Sequence, residues 1–279
     1  MKTFRKLASL FLAGIMAVSF AACGGTGSSS AASAASASAA DSTASAADNT
    51  FTVGFDQNFP PMGFKGSDGK FTGFDLDLAA EAAKRMGMAI KYQPISWDAK
   101  DAELTSGTID CIWNGFTISG RENNYTWSKP YMENDQVFVV KADSAVKSLA
   151  DLKGKTVEVQ TDSAAQAALK EKTNISSAFA NVQTTADYNT ALMDLDMGAV
   201  DAVAMDSTVA DYKITSGKLK LKILGESIQK EQYGIGFKKG NTALCAKVSK
   251  AMDEMKKDGT LTKISKKWFG KDVTTWGKA

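Results

Sequence analysis

Residues 155–205 read KTVEVQTDSAAQAALKEKTNISSAFANVQTTADYNTALMDLDMGAVDAVAM, and the alternation inside this stretch decides the fold. Lys155–Val159 is a short run carrying β-branched residues and predicts a strand, whereas residues 163–171 set alanine and leucine at helical spacing. A second strand is expected over Ala178–Gln183, a second helix over 186–197 and a third strand over Asp201–Met205. A helix over 207–215 and a strand over Leu221–Leu224 complete the cycle. Strands alternating with helices imply α/β layers and mostly parallel sheets.

The same cycle runs earlier in the chain. Phe51–Phe55 predicts a strand, and Leu76, Ala79, Ala80, Ala83 and Met86 predict a helix closed by Gly87. Ala89–Tyr92, Ile109–Trp113 and Gln136–Lys141 read as strands, with a helix over 98–106 ending at Gly107. After a last strand, Tyr233–Phe237, helices are expected over 242–257 and 261–268. The first carries an apolar face of Leu244, Val248, Ala251, Met252 and Met255. Two such blocks predict two lobes. In open α/β sheets ligands sit beyond the carboxyl ends of the strands, so a cleft between lobes is the natural site.

Composition narrows the chemistry. The chain has 279 residues, 44% of them hydrophobic, and 33 basic against 31 acidic residues give a net charge of +2. No basic stripe interleaved with aromatics argues for nucleic acid. The absence of histidine excludes Ser-His-Asp and Cys-His catalysis and every histidine-ligated metal site. It also predicts binding that is flat from about pH 5.5 to 8, because ordinary carboxylates and arginine keep their charge there. Cys23, Cys111 and Cys245 lie far apart without C-x-x-C spacing, so no structural zinc is expected. Spacing leaves open whether Cys111 and Cys245 pair or remain buried thiols.

The first fifty residues read as an address. Lys2, Arg5 and Lys6 precede an apolar run from Leu7 to Ala22, the pattern of a signal peptide over residues 1–22. The ending Ala21-Ala22-Cys23 resembles a bacterial lipoprotein signal, in which Cys23 is lipidated; Phe20 departs from the usual leucine. Residues 23–49 would form a linker of mostly Ala, Ser and Gly, too poor in apolar surface to offset its ordering entropy. As a Gly/Ser-like coil it would reach roughly 25–30 Å, letting a folded domain float above a membrane.

Several segments carry a closer resemblance: VGFDQNFPPMGF, GFDLDLA, SGTIDCIWNGFTISGRE, YTWSKPY, LADLKGKTVEVQ, GAVDAVAMD, EQYGIGF and DGTLTKISKKWFG. In this order and spacing they resemble the polar amino-acid-binding proteins of ABC importers, solute-binding family 3, from about Thr50 to Gly270. The resemblance implies a two-lobed, type II periplasmic-binding-protein-like α/β fold, each lobe a mixed, mostly parallel sheet flanked by helices. Lobe 1 would comprise residues 50–141 and 236–279, and lobe 2 residues 142–235, with crossovers near Val137–Asp143 and Tyr233–Lys238. It implies a monomer outside the cell membrane, held there by its N-terminal lipid, that delivers a free amino acid to a permease and uses no cofactor or metal.

A free amino acid presents a carboxylate, an ammonium and a side chain, and each needs a partner, because burying an unpaired charge is very costly. Arg121 matches the family arginine that grips the carboxylate, and its planar fork suits a bidentate pair. Ser163 reads as a helix N-cap. Ala164 stands where relatives often carry a hydroxyl, so its contribution to the carboxylate would be a backbone N–H. Asp206 matches the family aspartate for the ammonium, in a position that also suits an N-cap, and Thr117 and the Gly115 carbonyl match the other ammonium contacts. Phe59 and Trp97 match the rings that sandwich the ligand side chain. Asp56 and Asn114 match side-chain-facing positions, and Trp113 suits core or site equally. Two alternatives share this fold: a ligand-sensing domain, and a dehydratase-like enzyme using a cleft acid such as Glu122 or Glu231.

Overall fold

The chain divides into two units, Met1–Ser45 and Ala46–Ala279. The computed structural model describes residues 49–278, all in the second unit. The expected signal peptide, Cys23 and all but the end of the linker lie outside the described residues.

The first block opens with β1 (Thr50–Phe55). A small antiparallel patch follows, made of β2 (Asn58–Phe59), β3 (Gly63–Lys65) and β4 (Phe71–Thr72). Next come α1 (Phe74–Met86), β5 (Ala89–Pro94), α2 (Lys100–Ser106), β6 (Cys111–Thr117), β7 (Thr126–Trp127) and β8 (Met132–Lys141). The second block holds β9 (Thr156–Gln160), α3 (Ala164–Glu171), α4 (Thr173–Ser176), β10 (Asn181–Thr185) and α5 (Tyr188–Met197). It continues with β11 (Ala202–Asp206), α6 (Ser207–Gly217) and β12 (Leu221–Phe237), and α7 (Thr242–Lys257) and α8 (Thr260–Phe269) end the domain.

Both blocks build parallel sheet, as the alternation requires. β1 pairs in parallel with β5 and β6, and β9 with β10 and β11. The two triplets are joined by β8 and β12, which run antiparallel to each other and to their outer neighbours β11 and β6. The strand order is β10-β9-β11-β8-β12-β6-β1-β5.

β12 differs from expectation: Leu221–Leu224 and Tyr233–Phe237 are ends of one strand that passes from one lobe to the other. Its polar middle, Gly225 to Gln232, hides this continuity from a hydrophobic pattern. Gln136–Val139 of β8 pair with Val203–Asp206 of β11.

Helices cover the sheet through the faces their sequences mark. Cys245, Val248, Ala251, Met252 and Met255 of α7 are buried in the core with Leu78, Ala82 and Ala83 of α1. Each large side chain so buried contributes about 1.5–3 kcal/mol. Cys111 and Cys245 are both buried free thiols.

Candidate ligand-binding site

The parallel strands β1, β6, β9 and β11 all end at the same seam, so their carboxyl ends deliver Asp56, Thr117, Gln160 and Asp206 to one region. The crossing strands supply its floor. Side chains two residues apart on a strand share a face: Asn134 and Gln136 on β8, Glu231 and Tyr233 on β12. Register sets Glu231 opposite Asn134, Tyr233 opposite Thr117 and Asp206 opposite Gln136.

These groups form one buried polar network. Asp206 Oδ1 accepts from Asn134 Nδ2 (3.0 Å), Gln136 Nε2 (2.8 Å) and the Tyr233 hydroxyl (2.8 Å). Glu231 Oε1 accepts from the same two amides, each at 2.8 Å, and from the Thr117 hydroxyl at 2.9 Å. Asp206 begins α6 without capping it, so the carboxylate is turned wholly to this network and the N-cap expectation does not describe its side chain.

Burial, followed by the neighbouring Glu231 charge, pushes Asp206 up to about 8, and burial also raises Glu231. Asp75, fully buried beneath Gly115, is pushed by burial up to about 7. The expectation of flat binding from pH 5.5 to 8 assumes ordinary carboxylates, and burial raises these above their ordinary range.

Gly115 lies between rings. A Cβ there would stand 2.9 Å from Phe59 Cε1 and 3.1 Å from Tyr233, and the backbone adopts φ +56, so the close approach requires glycine. Its N–H donates to Asp75 Oδ2 at 2.6 Å, and Tyr131 donates to the same oxygen at 2.8 Å. Phe59 also meets Tyr188 of α5, with ring centroids 6.0 Å apart.

At the outer end, Gln160 Nε2 donates to Asp56 Oδ2 (2.8 Å), the Asn58 N–H donates to Asp56 Oδ1 (2.8 Å), and the Asp56 N–H donates to Asn114 Oδ1 (3.0 Å). Asp56 is thus held by the protein itself and does not need a ligand donor to satisfy it. A cleft of about 350 Å³ opens here, lined by Asp56, Asn58, Ser96, Trp97 and Asp187 among others. Trp97 stands edge-on to Phe116 with centroids 5.5 Å apart, and the buried Lys100 ammonium lies 5.3 Å from its ring centre.

Arg121 donates to the carbonyls of Thr117 (3.4 Å) and Asp162 (3.1 Å) and stacks over Phe116. The second of these contacts sets it against the start of α3. There Ser163 accepts from the Gln166 N–H at 3.1 Å as the N-cap, and Ala164 is the first helical residue. Lys100 ion-pairs with Asp162, and despite burial, which raises it, Lys100 holds Asp162 below its ordinary range. Glu122 accepts from the Gly120 N–H and stands outside the network. Trp113 is fully buried beside Tyr131 and belongs to the core.

Asp56, Phe59, Gly115, Thr117, Arg121, Ser163 and Asp206 are thus brought to one seam, whereas Trp113 lies in the core and Glu122 outside the network. Sequence reading missed Asn134, Gln136, Gln160, Tyr188 and Tyr233, and it weighed Glu231 only as an enzyme acid. The available signal was period two, in which polar residues alternate at Asn134/Gln136 and Glu231/Tyr233 where strands enter the core.

The pattern of the bacterial extracellular solute-binding proteins, family 3, matches residues 51–271. The chain is 36% identical over 228 residues to the L-cystine-binding protein TcyJ of Escherichia coli, covering 81% of this chain and 84% of that protein. It is 36% identical over 226 residues to the L-cystine-binding protein TcyA of Bacillus subtilis, covering 80% and 82%. A substrate-binding protein of an ABC uptake transporter from Streptococcus pneumoniae, solved with bound histidine, is similar with a TM-score of 0.78 at 36% identity, covering 81% of this chain and 95% of that one.

Proposed function

The chain belongs to family 3 of the bacterial extracellular solute-binding proteins, and from that premise we propose that it captures a free, polar L-amino acid between its lobes and delivers it to an ABC permease. The observation that carries this reading is the buried carboxylate Asp206, ringed by neutral donors and facing Arg121's end of the same seam. Asp206, Thr117 and the Gly115 carbonyl would take the ammonium. Arg121, with the start of α3 at Ser163 and Ala164, would take the carboxylate. Phe59 and Trp97 would enclose the side chain, with Asp56 and Asn114 tuning its choice. The lobes would part where β8 and β12 pair at Asn134 and Glu231, and a ligand touching both lobes supplies the differential affinity for closure. A family of binding proteins supports a binder in place of an enzyme.

The outer cleft favours a polar side chain. Two carboxylates, Asp56 and Asp187, line it. Both are held by the protein's own hydrogen bonds, so they demand no donor from the ligand, but a glutamate-like chain beside them would add repulsion. A thermal-shift screen over the twenty amino acids plus cystine and ornithine tests this. A ligand at a hundred times its Kd stabilises by about 2.7 kcal/mol. Cystine, arginine or glutamine is expected to give the largest rise; a largest rise with leucine or glutamate would overturn the polar assignment, and no rise at all would overturn capture.

We also propose that the domain is tethered by lipid at Cys23. Among the described residues no helix is long and apolar enough to cross a membrane. The proposal rests on the Ala21-Ala22-Cys23 ending and the linker composition after it. Cys23→Ser is expected to release the protein into the soluble fraction with ligand binding intact. A mutant still sedimenting with membranes would refute the anchor.

A further inference from the structure

Asp206 and Glu231 present an unusual balance of charge. Both side chains are at least nine-tenths buried, at 4% exposure each, and both draw on the same two amide donors, Asn134 Nδ2 and Gln136 Nε2. Each of the two amide nitrogens is within 3.0 Å of an oxygen of both carboxyl groups, which brings Asp206 Oδ1 and Glu231 Oε1 close together. Carboxylates can bond each other only through a proton, and two negative charges this close and this buried cannot both persist without a cation. Glu231 Oε2 is buried and takes no bond from any amide, hydroxyl or N–H donor, and a proton held between the carboxyl groups gives the pair the donor it lacks.

Among the described residues no fixed cation supplies that charge. Arg121 donates to the carbonyls of Thr117 and Asp162, Lys100 pairs with Asp162, and Lys213 bonds Asn189. The titratable groups facing the pair are Tyr233 from β12 and Tyr188 from α5, both neutral phenols that burial pushes up. Asp56 acts on Tyr188 from farther off. From β6 and β8 the pair meets only Thr117, Asn134 and Gln136, which do not titrate.

We propose that Asp206 and Glu231 share one proton in the ligand-free protein and release it to solvent when an α-ammonium binds, which makes Glu231 a second ammonium-recognising carboxylate. The step balances: the ligand enters with its positive charge, the shared proton leaves, and the two ionised carboxylates face one ammonium. Glu231 sits on the strand that passes between the lobes, so the ligand's charge is read at the crossing as well as at the end of β11. Burial raises both carboxyl groups, in the direction of a retained proton.

The inference rests on the amino-acid-binding reading above, and one experiment separates the two. L-Cystine and L-arginine are titrated into the protein by calorimetry at pH 6.5 in buffers of differing ionisation heat, since neither ligand's α-ammonium titrates at that pH. The observed heat is expected to vary with buffer so as to report about one proton released per ligand, and affinity to tighten toward tenfold per pH unit up to about pH 8. Glu231→Gln keeps the shape and one acceptor, and is expected to release less than half as many protons with a flatter pH profile. Binding heat that is independent of buffer overturns the shared proton and leaves capture standing, as does equal release by Glu231→Gln. Absence of any binding by both probes overturns both readings. The wild-type measurement decides the matter even where the variant does not fold.

Discussion

Asp206→Ala is expected to weaken ligand binding by about 30- to 4,000-fold, because truncating one member of a buried, hydrogen-bonded charge pair costs about 2–5 kcal/mol. In the ligand-free protein the same change is mild. Asn134 and Gln136 keep Glu231 as acceptor, the Tyr233 hydroxyl loses its bond, and a like-charge neighbour disappears. The loss therefore falls on the complex and not on the fold, and a circular-dichroism melt close to wild type should accompany it. Asp206→Asn separates the two contributions, since it preserves volume and an acceptor while removing the charge. Calorimetry with L-cystine and L-arginine is the measurement. A loss under fivefold for the alanine variant would reject Asp206 as the ammonium site.

The fold was legible because the two signals that decide it are local. Alternating strand and helix periods, with punctuation at Gly87 and Gly107, mark the parallel triplets, and these form as read, with boundaries shifted by a few residues. The passage between lobes was not legible in the same way. β8 and β12 cross the seam with polar residues inward, Asn134, Gln136 and Glu231, so their hydrophobic pattern breaks just where the strands continue. The site followed the same division. Residues at strand ends or in motif loops, such as Asp206, Arg121 and Phe59, could be named from spacing and resemblance. Residues brought in by register alone, such as Gln136 opposite Asp206, had no marker in the chain.

That division also bears on the pH expectation. Counting residue types finds no histidine and concludes that nothing titrates near neutrality, yet the position of a carboxyl depends on its burial and not on its type. The placing of Asp206 on β11 and Glu231 on β12 around the same residues of β8 is a property of pairing, and only the paired structure reveals it.

Gly73→Ala is expected to lower the free energy of unfolding by about 2–6 kcal/mol, a large share of the 5–15 kcal/mol that a native protein has. α1 begins here without a side-chain cap. Instead the Phe74 and Asp75 N–H groups donate to the carbonyls of Pro61 (2.7 Å) and Met62 (2.9 Å), so the turn between β2 and β3 caps the helix with its own backbone. That approach leaves no room for a side chain, since a Cβ on Gly73 would stand 2.2 Å from the Met62 oxygen, at a backbone φ of +149 that only glycine adopts readily. The effect would reach the site through Asp75, whose carboxylate holds the Gly115 N–H and the Tyr131 hydroxyl. Gly87→Ala at the other end of α1 is the control: its φ of +69 is also positive, but nothing lies within 4 Å of the added carbon, so the loss should be about 1–2 kcal/mol. Urea unfolding of both variants decides the matter. If Gly73→Ala is no less stable than Gly87→Ala, the backbone cap does not hold the helix start, and Gly115 owes its position to something other than α1.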